Sequence, residues 1–311
     1  MLTSTLERSN MDLFDDSIHK NLCIIGNGFD LHHGLETSYS NFRDFLIKSG
    51  RREFVMQLES YFNAEEQDEN GKYHFLLWSD LEEAIGKYDL YDLYHELTDW
   101  IQIDYDHMMQ SAAQIEDAPN DFLAPLMMNL PAYIEDWIKV INVRWAEADV
   151  DLPKPARFLS FNYTRVLEEI YHIPEEDVLH IHNVVGCREE LVVGHRVETD
   201  ESDAFDESAP IFQEESMRNI INIMNARRKP TDELIAKNSD FFNSLHDITD
   251  VYVYGHSYSS VDLDYYQAVK NAIEADAKWH LGCYSERDKQ AAEVLMGVLG
   301  VARENWGRFE F

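Results

Sequence analysis

The chain has 311 residues and a formal net charge of −33, from 26 Lys and Arg against 59 Asp and Glu. Hydrophobic residues make up 45% of it, which excludes a disordered protein and suits one large domain or two ordinary ones. Because so much negative charge repels phosphate backbones and anionic bilayers, we expect no direct nucleic-acid binding and no membrane association. The net charge does not exclude a small anionic ligand, since backbone N–H groups at the start of a helix can bind it locally.

The sequence favours a soluble, cytoplasmic protein. The first twenty residues lack a basic region followed by an apolar run, and no stretch approaches 18 consecutive apolar residues. The three cysteines, Cys23, Cys187 and Cys283, stand far apart beside apolar runs, which is typical of buried, reduced thiols. Without a CxxC pair a cysteine zinc site is excluded, and we predict no metal cofactor.

The N-terminal half begins with a strand and continues in helices. Residues 21–25 (NLCII) form an apolar run that stops at Gly26-Asn27-Gly28, which predicts a strand followed by a turn. From about 40 to 148 apolar residues recur at helical spacing, with two long helices expected around 78–103 and 123–145. The polar segment 64–71 (AEEQDENG) is expected to be a turn between helices.

After Pro153 and Pro155 the pattern changes to short apolar runs that alternate with helical segments. Five strands are predicted, at 157–161 (RFLSF), 178–181 (VLHI), 191–193 (LVV), 251–254 (VYVY) and 279–282 (WHLG). Such alternation predicts an α/β fold, a Rossmann-like parallel sheet covered by helices. We expect a core formed by 20–40 and 150–311, with 41–149 as a large all-helical insertion after the first strand.

The acidic segment 198–209 (ETDESDAFDESA) is expected to be a solvated connection or a lid over the cleft. A lid of this charge would repel an anionic ligand and hold an enzyme inactive until it moved.

The first candidate site is the turn at 26–34 (GNGFDLHHG). Glycines between a strand and a helix let the backbone approach a pyrophosphate, although they also occur in plain tight turns. The spacing is GxGx₅G rather than GxGxxG, and no acidic residue about 20 positions on is placed to hold a ribose hydroxyl. A dehydrogenase-type dinucleotide domain is therefore disfavoured.

Two further candidates follow predicted strands, where ligands bind in open α/β sheets. Asn162 can hydrogen-bond an amide or orient a water, or it can simply form an Asx turn or a helix cap. Strand alternation puts His180 and His182 on one side, where a histidine can act as a general base or be purely structural. Two such histidines could also bind a metal, but no third ligand lies at diagnostic spacing.

The last candidate is the segment 255–264 (GHSYSSVDLD). Ser257 and Asp262 could bind ribose or phosphate, or could be ordinary caps of the next helix. The segment is not a GxSxG nucleophile elbow, because Ser259 stands in place of the second glycine. Residues 78–82 (WSDLE) are explained by a core tryptophan and a capping residue.

Together these motifs resemble the bacteriophage abortive infection AbiH family over about residues 24–266. The similarity is carried by 24–42 (IIGNGFDLHHGLETSYSNF), 78–83 (WSDLEE), 161–171 (FNYTRVLEEIY), 180–183 (HIHN), 192–195 (VVGH) and 252–266 (YVYGHSYSSVDLDYY). The family's motif order is in turn similar to that of sirtuin-like domains of bacterial antiphage proteins, which implies NAD as the ligand.

The resemblance implies a role for each matching position. Asn162 would lie at the nicotinamide and His182 would act on its ribose, as the two catalytic residues. The nucleotide contacts would come from two turns: Gly26, Gly28 and Gly34, with Asn27, Phe29 and Asp30 between them, around the pyrophosphate, and Gly255, Ser257 and Asp262 at the adenosine half.

The implied function is an antiphage effector that hydrolyses NAD to ADP-ribose and nicotinamide. Asp30 stands where the sirtuin pattern has serine, and Asn183 where it has glycine. The zinc-binding cysteines of deacylating sirtuins are absent, which argues against a protein deacylase. The resemblance thus leaves open whether NAD or another nucleotide is the ligand.

Two alternatives remain at this point. The first is a nucleotide-binding sensor of a phage-defence system without turnover. The second is a nuclease-type effector, which needs clustered metal-binding carboxylates and a basic groove, whereas the basic run at 227–229 is short.

The helical insertion offers faces for a homo-oligomer or for a defence-system partner protein.

Overall fold

A computed structural model describes residues 19–63, 65–67, 73–200 and 209–311. Its main sheet contains strands β1 (Asn21–Ile25), β4 (Ala156–Ser160), β5 (Val178–His180), β6 (Asp250–Tyr254), β7 (Lys278–Cys283) and β8 (Trp306–Glu310). The spatial order is β5-β4-β1-β6-β7-β8, and every neighbouring pair runs parallel. The predicted α/β class is confirmed.

The order of the six strands leaves a crevice at one position of the sheet. Counted along the chain, they lie in the order 3-2-1-4-5-6 of a doubly wound Rossmann sheet. The order reverses between β1 and β6, so the loops after these two strands diverge and leave a crevice. β1 lies between β4 and β6 and is buried on both faces, which explains its uninterrupted apolar run.

The helices fall into two groups. Those that pack on or near the sheet are α1 (Asn27–His32), α8 (Val166–Glu169), α10 (Thr231–Lys237), α11 (Ser239–Asn243), α12 (Leu263–Ala272) and α13 (Glu286–Leu299). A helical body contains α2 (Tyr39–Lys48), α3 (Arg52–Tyr61), α4 (Leu81–Lys87), α5 (Leu90–Thr98), α6 (Met108–Ala118), α7 (Ala124–Val140) and α9 (Ile211–Ala226). Between α6 and α7 the chain forms a π-helical turn, Pro119–Leu123.

The helical body has its own hydrophobic core and recruits a helix from far along the chain. Helix α9 packs against α5 and α6, and its buried Met217, Ile220 and Met224 belong to the same apolar cluster as the insertion. The body therefore combines the predicted insertion with a helix from the segment assigned to the sheet core. Such long-range pairing leaves no local trace in the sequence.

The sequence predicted an all-helical insertion, but the structure also contains a pair of short strands there. A short antiparallel hairpin pairs β2 (Glu65–Gln67) with β3 (Tyr73–Phe75) around part of the predicted polar turn. The helix expected over 78–103 is broken at Asp89, whose side chain accepts from the amides of Tyr91 and Asp92 and starts α5.

One strand prediction was wrong, and one strand was not predicted. Residues 191–193 form no strand, because Leu191 and Val193 insert into the apolar cluster of the helical body. Strand β8 was missed, since an exposed edge strand shows no continuous apolar run.

The predictions for the cysteines and for the acidic segment 198–209 have different outcomes. Cys23 and Cys283 are buried, whereas Cys187 is exposed. Most of the acidic segment 198–209 lies outside the described residues, so the lid hypothesis stays a prediction. Within the described ranges, no helix combines the length and apolar composition that crossing a bilayer requires.

Candidate functional site

The turns after β1 and β6 are locked together by their glycines. The Gly26 amide donates to the Tyr254 carbonyl (2.9 Å), and the Gly28 amide donates to the Gly255 carbonyl (2.7 Å). A Cβ on Gly28 would lie 2.7 Å from Gly255 Cα, and a Cβ on Gly255 would lie 2.1 Å from Phe29 N. The glycines thus let two backbones approach closely, and the amides of Gly26 and Gly28 are already used within the protein.

Gly255→Ala is expected to destabilise the fold by more than about 1–2 kcal/mol, the cost of a left-handed alanine alone. Gly255 has φ +62°, and its missing Cβ faces backbone that cannot move aside. Gly297→Ala in α13 is the matched control, because no neighbouring atom of the described residues lies within 4 Å of its Cβ position. There alanine should stabilise by about 0.5–1 kcal/mol. Thermal unfolding tests both, and similar melting temperatures for the two variants would contradict the interlock.

A cavity of about 780 Å³ opens at the carboxyl ends of the strands, between the sheet and the helical body. This volume falls within the range of small-molecule sites. Nine predicted site residues line it: Gly26, Asn27, Gly28, Asp30, Asn162, His182, Gly255, Ser257 and Asp262. The topology therefore brings together residues from four separate segments of the chain.

Phe29 and Gly34 lie elsewhere. Phe29 is fully buried in an apolar cluster below β1, where it stacks with Phe311. Gly34 follows the end of α1 with φ +73°, and its amide donates to the Leu31 carbonyl. Both are placed to shape the turn rather than to contact a ligand.

Asp30 is a buried carboxyl group on the cavity lining. It accepts hydrogen bonds from Asn162 Nδ2 (2.9 Å) and from Thr164 Oγ1 (2.6 Å). Burial raises the pKa of Asp30 from 3.8 to about 6, although both hydrogen bonds oppose the rise. Asn162 Oδ1 is buried and has no hydrogen-bond partner within the described part of the chain.

The raised pKa of Asp30 predicts a pH-dependent difference between the wild-type protein and Asp30→Asn. Between pH 3.8 and about 6 the folded protein holds a proton on Asp30 that the unfolded chain has lost. Raising the pH through this window therefore lowers the wild-type stability relative to the variant. Denaturant unfolding from pH 4 to 7 should show this slope, and a flat difference would contradict the burial of a titrating Asp30.

His182 lies at the same cavity, beside Asp262, which the resemblance had placed at the adenosine half of the ligand. The His182 side chain is buried, and its Nε2 lies 3.8 Å from Asp262 Oδ1 without a hydrogen-bond partner among the described residues. Burial holds the pKa of His182 well below its usual value, helped by Lys229 and His256, while only Asp262 opposes. The imidazole is therefore neutral, which is the protonation state that a general base requires.

Asp262 is the centre of a buried charged group. Burial alone would raise the pKa of Asp262, but Lys229 and the two histidines hold it well below its usual range. Lys229 Nζ lies 2.9 Å from Glu82 Oε2 and 3.3 Å from Asp262 Oδ1. His256 Nδ1 accepts from the Tyr258 amide, so its Nε2 carries the proton and points at Asp262 Oδ2 (3.3 Å).

Lys229 also ties the helical body to the sheet core. Glu82 belongs to α4, and its other oxygen accepts from the Gly194 amide at 2.8 Å. Burial acts to lower the pKa of Lys229, but Asp262 and Glu82 raise it overall, so the lysine stays charged. Among the described residues, the cavity lining includes five carboxyl groups (Asp30, Asp80, Glu82, Asp262 and Asp288) and this one lysine.

His180 does not share the site, contrary to the strand-alternation prediction. Its Nδ1 donates to the Asn162 carbonyl at 3.1 Å, and its Nε2 contacts Glu168 Oε1 at 2.8 Å. Strand β5 ends at His180, and His182 lies in the following turn, so the period of two no longer applies. The structural interpretation is the correct one for His180.

Sequence reasoning missed three residues of the site. In the sequence, Glu82 lies in a segment that capping explains, and Lys229 lies in a short basic run. His256 stands inside the recognised segment 255–264 but had received no role. Lys229 precedes Pro230 and His256 follows Gly255, whereas Glu82, between Leu81 and Glu83, carries no comparable local signal.

The comparison with known families decides the chain's relationship. Residues 22–282 match the family described as Bacteriophage abortive infection AbiH. The chain belongs to the AbiH family. The match contains every lining residue from the turn after β1 to the end of β7, and AbiH membership indicates a role in phage abortive infection. Comparisons with curated proteins and with solved structures gave no match.

Proposed function

We propose that this AbiH protein binds NAD⁺ in the cavity and hydrolyses its nicotinamide–ribose bond. The observation that carries the proposal is His182, a buried neutral imidazole next to Asp262 at the switch point of a Rossmann sheet, whose Nε2 has no hydrogen-bond partner among the described residues. The resemblance of the motif order to that of sirtuin-like domains favours the same ligand. Hydrolysis of NAD⁺ would then be the route by which the protein acts in abortive infection.

The reaction consumes one water and needs no redox partner. The bond between nicotinamide nitrogen and ribose C1′ breaks, nicotinamide leaves with the electron pair, and the water oxygen bonds to C1′. The products are nicotinamide, ADP-ribose and one proton. His182 accepts the proton from the water or from a ribose hydroxyl, and the Asp262 carboxylate stabilises the imidazolium that forms.

The acidic lining favours the cationic end of this substrate. The nicotinamide ring of NAD⁺ carries a positive charge, and the transition state of glycoside cleavage resembles an oxocarbenium ion. Carboxylates fixed on the cavity wall stabilise both. Fewer backbone amides are available to the pyrophosphate than the sequence predicts, because the amides of Gly26 and Gly28 already donate hydrogen bonds within the protein. The Ser257 side chain also lines the cavity, as does that of Asn27, whose Nδ2 already donates one hydrogen bond to the Thr37 carbonyl at 2.7 Å.

Calorimetry distinguishes this charge argument from simple nucleotide binding. NAD⁺ should bind more tightly than NADH, whose nicotinamide ring is uncharged and whose pyrophosphate is identical. Equal affinities for the two would contradict the role of the acidic lining. The comparison is sharpest at pH 8, where Asp30 is ionised.

Product analysis tests the reaction itself. Purified protein incubated with NAD⁺ should release nicotinamide and ADP-ribose in equal amounts, measured by liquid chromatography. The same measurement in phage-infected cells should show NAD⁺ falling with the wild-type protein but not with His182→Ala. Tight NAD⁺ binding without nicotinamide release in both settings would contradict hydrolysis and favour a nucleotide-sensing module.

A further inference from the structure

Asn162 reaches the cavity with its amide group held in one orientation. Ionised Asp30 has only acceptors, so the atom of Asn162 that faces Asp30 Oδ1 at 2.9 Å must be the Nδ2 donor. Thr164 occupies the other carboxylate oxygen with a second donor at 2.6 Å. The remaining polar atom of Asn162 is Oδ1, which is buried and lacks a partner within the described residues.

We infer that Asp30 sets the ligand selectivity of the cavity, by holding Asn162 so that its carbonyl oxygen receives an N–H donor of the ligand. An acceptor at this buried position favours binding of a ligand amide, which can donate a hydrogen bond to it. It disfavours binding of a ligand carboxylate, because two facing oxygens without a proton repel each other. The inference rests on the proposed function and narrows its substrate. The cavity takes the carboxamide of NAD⁺ and rejects deamidated NAD⁺, which has a carboxylate in its place.

The charge of the surroundings acts in the same direction. Asp30 and Asp262 both line the cavity within the part of the chain that is described, and neither can donate when ionised. A buried ligand carboxylate would therefore meet Asn162 Oδ1 without a hydrogen bond and add to the local negative charge. A carboxamide keeps one N–H for Asn162 and adds no charge.

The test compares the affinities for NAD⁺ and for deamidated NAD⁺ by calorimetry at pH 8. The wild-type protein should prefer NAD⁺ by roughly 10- to 100-fold, the range for leaving a buried polar pair unmatched. In Asp30→Asn the new amide can offer either atom to Asn162, so Asn162 can turn its own donor toward the ligand. The preference should then fall to within about threefold, with deamidated NAD⁺ gaining affinity.

Thr164→Val is the matched control. It removes the second hydrogen bond to the same carboxylate but leaves an ionised acceptor opposite Asn162. The preference for NAD⁺ should therefore persist in this variant. If Thr164→Val loses the preference as fully as Asp30→Asn does, general disturbance of the cavity explains the effect and the inference is wrong.

The orientation of Asn162 also has a readout without any ligand. Its side-chain amide protons, bonded to a buried carboxylate, should exchange slowly with deuterated solvent in the wild-type protein and faster in Asp30→Asn. Equal exchange rates, or equal binding of the two dinucleotides by the wild-type protein, would overturn the inference alone. Binding of neither dinucleotide would overturn the proposed function together with the substrate class inferred from it.

Discussion

The His182→Ala variant is expected to release nicotinamide from NAD⁺ roughly 10²- to 10⁴-fold more slowly than the wild-type protein, the range for loss of a general base. The reason is that His182 is neutral and its Nε2 has no hydrogen-bond partner in the described part of the chain, while Asp262 lies where it can stabilise the protonated imidazole. Binding of NAD⁺ should change little, because a base contributes to the chemical step more than to the ground state. Single-turnover kinetics and calorimetry separate the two quantities.

Two further variants keep this prediction decisive. His182→Gln fills the same space with a side chain that cannot accept the proton, so it should be as slow as His182→Ala while the fold is kept. His180→Asn, two residues away, changes a histidine that faces Glu168 rather than the cavity, and should retain most of the turnover. Wild-type rates in both His182 variants would remove the residue from the mechanism.

Lys229→Met is expected to lower the free energy of unfolding by about 3–5 kcal/mol, the cost of breaking a buried ion pair on one side. Lys229 has 1% of its side chain exposed and neutralises Glu82 and Asp262 together. Methionine fills a similar volume, so the loss arises from two carboxylates left buried without their cation rather than from a void. Urea denaturation gives the value directly.

The matched controls for this prediction are a surface pair and a double variant. Lys237 pairs with Glu189 in solvent, so Lys237→Met should cost no more than about 1 kcal/mol. Glu82→Gln combined with Lys229→Met removes one of the two stranded carboxylates and should recover part of the loss. A Lys229→Met variant as stable as Lys237→Met would contradict a buried ion pair between the helical body and the sheet.

The sequence predicts the edge of the sheet at which the site forms, and it predicts some of the residues of the site. An apolar run ending in a polar or glycine residue marks a parallel strand and its carboxyl end, so Asn162 and the glycine turns could be assigned to one edge. His182 follows from the same rule. The predicted catalytic pair and the two turns do line one cavity, whereas Phe29 turned inward because α1 starts at Asn27 and puts that position on its buried face.

The electrostatic part of the site could not be predicted in this way. Lys229 is separated in sequence from Glu82 by 147 residues and from Asp262 by 33 residues. No local sequence pattern therefore indicates that their charges neutralise one another. The glycines illustrate a second limit. A GxG turn indicates that something approaches the backbone closely, but only the structure distinguishes a phosphate from another turn, and here Gly255 approaches Gly28.

The central claim is that the crevice between β1 and β6 binds NAD⁺ with its nicotinamide end between Asn162 and His182. A crystal structure of the His182→Ala variant with NAD⁺ tests it most directly, because this variant should bind the substrate without consuming it. We expect the carboxamide nitrogen within hydrogen-bond distance of Asn162 Oδ1 and ribose C1′ beside the position vacated by the imidazole. NAD⁺ bound elsewhere on the protein, or with its adenine at Asn162, would contradict the account.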